Sequence, residues 1–242
     1  MYTIFKKEFN SFLNSLIAYV VIGVFLTSIG LLMWVFPESS ILEYGYADMS
    51  TLFNLGPYVF MFLIPAITMK FFAEEKRTGT IELLLTRPLT DFQIILGKYF
   101  ASIVLVTFSL LPTLLYYYSI YQLGNPVGNI DSAGTFGSYI GLLMLGFVFS
   151  AIGIFSSSIT DNQIVAFITA VILSFIFFLG FNLMSQLDFW GSYDIVIDNL
   201  GIATHYSSMS RGLIDSRDLL YFVSIIVAML MATKLSLGSR KW

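Results

Sequence analysis

Apolar residues run along this chain in long blocks, with the charged residues confined to the gaps between them. The intervals Glu8–Glu38, Asp48–Lys70, Lys98–Asp131, Asp131–Asp161 and Asp161–Asp188 contain no charge, and each exceeds the roughly 20 residues that a spanning helix needs. A sixth run, Leu219 to Thr233, has 15 charge-free residues; Lys234 can snorkel and Leu235 to Leu237 lengthen it. The pattern predicts six membrane helices at 16–36, 52–72, 94–121, 138–158, 163–184 and 219–237. Residues 1–36 are expected to stay as the first span, because the run outlasts a signal-peptide core and no small-x-small cleavage site follows it. The expected fold class is an all-α integral membrane protein, a single transmembrane domain over residues 1–242.

Three segments outside the spans carry a pattern of their own. In residues 1–15, Tyr2, Phe5, Phe9, Phe12 and Leu13 recur at helical spacing among Lys6, Lys7, Glu8, Asn10 and Asn14, which predicts an N-terminal interfacial helix; a polar extension of span 1 is the alternative. In the 73–93 loop, Thr80 can cap a short helix starting at Ile81, with Glu82 near its positive end, Arg87 at its other end, Pro88 stopping it and Gly79 allowing the turn before it. That helix puts Ile81, Leu84 and Leu85 on one face. Thr90 and Gln93 have capping-box spacing, and a helix from Asp91 to Tyr121 would be about 46 Å long, more than the bilayer core requires. The loop helix is thus held among charges, suited either to docking a soluble partner or to packing back on its own bundle. The third segment, 185–218, mixes Trp190, Tyr193, Ile195, Val196 and Ile197 with acids; it is expected to fold back on the outer mouth of the bundle, with a disordered linker as the alternative.

Composition agrees with lipid as the solvent. Hydrophobic residues make up 57% and charged residues 11% of the 242, against about 25% charged in soluble domains, and the mean hydropathy is +0.83. Of the 12 Lys and Arg residues, ten lie in the N-terminus, the 2–3 loop and the C-terminal end; Arg211 and Arg217 fall on the other side, with nine of the 15 acids. The positive-inside rule then places both termini and the 2–3 loop in the cytoplasm. A net charge of −3 argues against nucleic acid as a partner.

The residues for in-membrane chemistry are missing. The chain has no cysteine and one histidine, His205, expected to be a satisfied loop residue with no ligand to share a metal. No P-loop motif occurs, so ATP hydrolysis is not expected in this chain. Apart from Lys70, Lys98 and Lys234 near span ends, which read as loop or snorkelling cations, the pattern leaves no charge inside a span, which disfavours proton relays and ion-coupled secondary transport. Gly137, Gly141, Gly146, Ser150, Gly153 and Ser157 are spaced for close helix packing, within the chain in the first instance. Pro57, Pro65 and Pro112 are candidate kinks, Tyr116, Tyr117, Tyr118 and Tyr121 an interfacial aromatic belt, and Asn182 a cavity-lining or interhelical polar group.

The run Glu75-Lys76-Arg77-Thr78-Gly79-Thr80-Ile81-Glu82-Leu83-Leu84, followed by Arg87-Pro88 and Gly97-Lys98, resembles the 2–3 loop of type-2 ABC exporter permeases, and Ser207 to Asp218 is similar to the segment before their last helix. The length, the aromatic richness and the ending Ser239-Arg240-Lys241-Trp242 resemble the gliding-motility-associated permeases of Bacteroidetes. The resemblance implies a multi-pass protein of the bacterial inner membrane. Its short loop helix would be a cytoplasmic coupling helix docking a separate P-loop ATPase through Glu75, Gly79, Thr80, Ile81, Glu82, Leu84, Leu85, Arg87 and Pro88. ATP and Mg would be bound by that ATPase, leaving no cofactor in this chain. A second permease copy or paralogue and a substrate-binding-like membrane subunit are the further implied partners. The competing reading is a membrane scaffold or anchor for a multiprotein machine, which a neighbouring gene for a P-loop ATPase would disfavour.

Overall fold

The computed structural model describes residues 1–86, 88–187 and 191–238, and among them every regular element is helical. Helix α1 (Tyr2–Leu13) meets α2 (Leu16–Trp34) at a 68° bend. The short α3 (Ile41–Tyr44) lies between α2 and α4 (Ser50–Thr68), and α4 continues after one irregular residue, Met69, into α5 (Lys70–Arg77). Then come α6 (Thr80–Leu85), α7 (Asp91–Leu110) and α8 (Leu114–Leu123), the last two joined by a single 3-10 turn at Pro112. Helix α9 (Ser132–Ile159) is followed by α10 (Gln163–Phe175), which passes through a π turn at Ile176–Gly180 into α11 (Phe181–Ser185). The chain closes with α12 (Asp194–Asp198), α13 (Ile202–Met209) and α14 (Ser216–Gly238).

Among the described residues five helical segments are long and apolar enough to cross a membrane, Ser50–Arg77, Asp91–Leu123, Ser132–Ile159, Gln163–Ser185 and Ser216–Gly238; the bent α1–α2 pair makes six. These follow the predicted spans, with three main differences, the first being that span 2 runs on to Arg77, five residues past the expected 72. Helix α9 starts six residues before the expected 138, at Ser132, where the Asp131 carboxylate accepts from Gly134 N at 2.9 Å and caps it. Span 5 is interrupted by a π turn that hydropathy could not register.

Helix α9 is the axis of the bundle, packed by α4, α5, α7, α10, α13 and α14. Its small residues bring the neighbours close. A Cβ on Gly141 would stand 2.7 Å from Met209 Cβ, one on Gly146 2.7 Å from Val106 Cγ1, and one on Gly153 would collide with Thr68. The small-residue spacing is therefore used up inside this chain. Ser157 has a second role at the break at Met69, where the hydrogen bonding of α4 into α5 is interrupted. Its hydroxyl accepts from Phe72 N at 2.9 Å and Ala73 N at 3.1 Å and donates to the Met69 carbonyl at 2.9 Å. A broken membrane helix holds together when a neighbour re-satisfies the freed backbone groups in this way.

Candidate functional site

The N-terminal pole of the bundle gathers α1, α5, α6 and the first turns of α7. Gly97 lets α1 lie directly on α7, since a Cβ there would stand 3.1 Å from Ile4 Cβ and from the Met1 carbonyl. The next residue, Lys98, reads as a loop cation in the sequence. In the structure it is fully enclosed, and this corrects the loop-cation reading. Its Nζ lies 2.8 Å from Glu8 Oε1 of α1 and 3.0 Å from Glu75 Oε2 of α5, donates to the Phe71 carbonyl at 2.6 Å, and sits 4.9 Å from the centre of the Phe72 ring. Lys7 closes the group from its open side, 2.6 Å from Glu75 Oε1 and 3.5 Å from Glu8 Oε1. Two lysines and two glutamates thus cancel in charge, the condition under which ions tolerate burial. Burial would by itself lower the Lys7 pKa, but the hydrogen bond to Glu75 and the charges of Glu8 and Glu75 outweigh it and hold it above 10.5.

This cluster changes the role of Glu75. It was expected on a docking surface; it is buried, with its carboxylate engaged by Lys98 and Lys7. Helix α6 differs from the expectation in two further ways. Gly79, with φ of 70°, is the N-cap and Thr80 is the first helical residue, its hydroxyl 2.9 Å from that of Thr78. The face carrying Ile81 and Leu84 also turns inward. Ile81 is buried and Leu84 half-buried against the core, whereas Leu83 is 69% exposed. The Leu85 side chain and Arg87 lie outside the described parts of the chain. Gly79, Thr80, Glu82, Thr86 and Pro88 join Leu83 on the open side. Helical periodicity could define the Ile81–Leu84 face but not the direction it points, which depends on what α6 packs against.

The helices before and after α6 are themselves fixed by specific bonds. The Thr90–Gln93 capping box forms with both of its bonds, Gln93 N to Thr90 Oγ1 at 3.3 Å and Thr90 N to Gln93 Oε1 at 3.2 Å. Lys76 donates to the Ser158 carbonyl at the end of α9. Between α1 and the turn after α6 runs a groove of about 510 Å³ lined by Thr3, Ile4, Lys7, Leu84, Pro88 and Leu89. No group of three or more His, Asp or Glu side chains able to hold a metal ion occurs among the described residues.

The family described as "ABC-2 family transporter protein" matches residues 2–189. The chain belongs to the ABC-2 transporter family. No curated protein matches it. As an ABC-2 permease it is a multi-pass membrane transport component and not itself the catalyst, and permeases of this family normally work with an ATPase subunit.

At the opposite pole of the permease, residues 191–215 are folded onto the bundle. The Tyr206 hydroxyl donates to the Phe53 carbonyl at 2.7 Å, and Ser138 Oγ to the Ser210 carbonyl at 2.9 Å. Burial pushes the Tyr206 phenol well above its usual pKa of 10.0, keeping it a donor. Asn182 joins elements: its Nδ2 donates to Asp198 Oδ1 at 2.9 Å, and that carboxylate also accepts from Ser185 and Thr204. Trp190 lies outside the described residues.

Proposed function

We propose that this permease converts ATP hydrolysis by a separate P-loop ATPase into movement of its helices, with α6 as the coupling helix and the N-terminal pole in the cytoplasm of a bacterium, the bundle spanning its inner membrane. The observation that carries this reading is a short helix whose inner face is anchored by Ile81 and Leu84 while Glu82, Leu83 and Thr86 stay open. A lever must be fixed to the bundle on one side and free on the other. Leu83 is the apolar contact offered to the ATPase, with Gly79, Thr80, Glu82 and Pro88 around it. Glu75 acts from behind, through the ion cluster. ATP and Mg belong to the ATPase, a second permease copy or paralogue completes the path, and gliding motility with a substrate-binding-like membrane subunit is the setting proposed from the sequence resemblance.

The test is co-purification of the ATPase with wild type and with Leu83→Asp. Placing a carboxylate in an apolar contact costs several kcal/mol unless it is paired, so the variant should lose the ATPase while inserting normally. Retained binding and full ATP-driven activity would overturn the coupling role and leave the scaffold reading ahead.

A further inference from the structure

We propose that His205 and Asp218 form a proton-operated latch fastening the segment before the last helix to α14. It lies beyond the 2–189 region that the family match covers and does not depend on how the ATPase docks. His205 Nδ1 lies 2.7 Å from Asp218 Oδ1, and Nε2 lies 3.0 Å from the Asn199 carbonyl oxygen. The ring stacks on Tyr221 of α14 with centroids 3.8 Å apart, and the Tyr221 hydroxyl donates to the Leu200 carbonyl at 2.6 Å. One side chain therefore ties α13, the α12–α13 turn and α14 together.

Both partners of the ring are acceptors. A neutral imidazole has a single N–H, so it can satisfy one of these contacts and leaves the other as lone pair against lone pair. The observed pair of contacts requires two protons, one between Nε2 and the Asn199 carbonyl and one between Nδ1 and Asp218. With both present the His205–Asp218 pair is electrically neutral. Loss of one leaves a net negative charge on Asp218, which is 8% exposed.

The other titratable groups of the packed elements are Tyr139, Asp194, Asp198, Tyr206, Arg211, Asp215 and Arg217, five of them hydrogen-bonded elsewhere. On α12, Asp198 is held by Asn182, Ser185 and Thr204, and Asp194 shares the helix. Tyr206 of α13 bonds the Phe53 carbonyl, and Tyr139 of α9 bonds the Thr113 hydroxyl. In the turn before α14, Arg211 donates to the Ser207 carbonyl and Asp215 accepts from Arg217 N. The fastened form holds one more proton than the released form, so acid favours fastening and rising pH favours release.

The experiment follows the whole permease in detergent, purified with a histidine-free tag, from about pH 5 to about pH 9. Hydrogen-exchange protection of residues 199–209, corrected for the intrinsic pH dependence of exchange, is measured beside the ¹⁵N shifts of the single histidine ring. Protection in 199–209 should fall at least about tenfold, the equivalent of one charge-assisted hydrogen bond, with the same midpoint as loss of the ring proton. Protection of α9 should stay constant. His205→Gln should show no such step. A ring that loses its proton while 199–209 stays protected overturns the latch, as does a ring that keeps both protons throughout, or a step that survives in His205→Gln. If the variant does not fold, the coincidence of the two midpoints in wild type decides.

Discussion

Lys98 Nζ lies 2.8 Å from Glu8 Oε1, a residue 90 positions earlier, in surroundings that enclose the lysine completely. The bond makes the N-terminal helix part of the apparatus that carries α6, because the same ammonium also reaches Glu75 of α5. The cluster thereby links α1 to α5 and α7, and α5 leads directly into α6.

Replacing Lys98 by Met should destabilise the protein by about 3–5 kcal/mol, since it leaves Glu8 and Glu75 with Lys7 as their one remaining cation and so one buried negative charge unbalanced. The triple change Lys98→Met, Glu8→Gln, Glu75→Gln should recover a substantial part of that loss. Thermal unfolding of the three proteins in one detergent checks the order; a Lys98→Met variant as stable as wild type would contradict the cluster's role.

Lys7 predicts where pH acts on this pole. Its folded pKa is raised above the ordinary 10.5, so its contribution is fully present below 10.5 and is lost as pH rises through the higher folded value. The stability difference between wild type and Lys7→Met should be constant through the neutral range and shrink only in strong alkali. Unfolding midpoints of both proteins across that range provide the measurement.

Two glycine substitutions should act in opposite directions. Gly141→Val drives its Cβ into Met209 and should cost about 1–3 kcal/mol through overpacking. Gly23→Ala, in the middle of α2 with nothing within 4 Å of the added Cβ, should be neutral or stabilise by up to about 1 kcal/mol through helix propensity. Unfolding in detergent distinguishes the two.

The proposed orientation is tested by single cysteines in a chain that has none of its own. Tyr46, Thr86 and Ser207 are exposed positions. In intact cells an impermeant thiol reagent should reach cysteines at 46 and 207 and miss the one at 86. Labelling at 86 alone would invert the assignment.

What the sequence alone determined follows from short-range physics. A membrane helix satisfies its own backbone hydrogen bonds and needs only a sufficient apolar run, so the spans were readable residue by residue. The Thr90–Gln93 capping box depends on neighbours three apart, and it formed as its spacing implied. The tertiary structure decided whatever depends on partners far along the chain. Lys98 resembles a loop cation until Glu8 and Glu75 converge on it. Ile81 and Leu84 define a face by periodicity, but only the packing of α6 turned that face inward and left Leu83 open. His205 looked like an isolated histidine because Asn199 and Asp218 carry no common motif; folding brought a carbonyl and a carboxylate to its two nitrogens. Hydropathy and capping are local energies, whereas buried charges and hydrogen-bonded rings are satisfied only by the groups that the closed bundle places beside them.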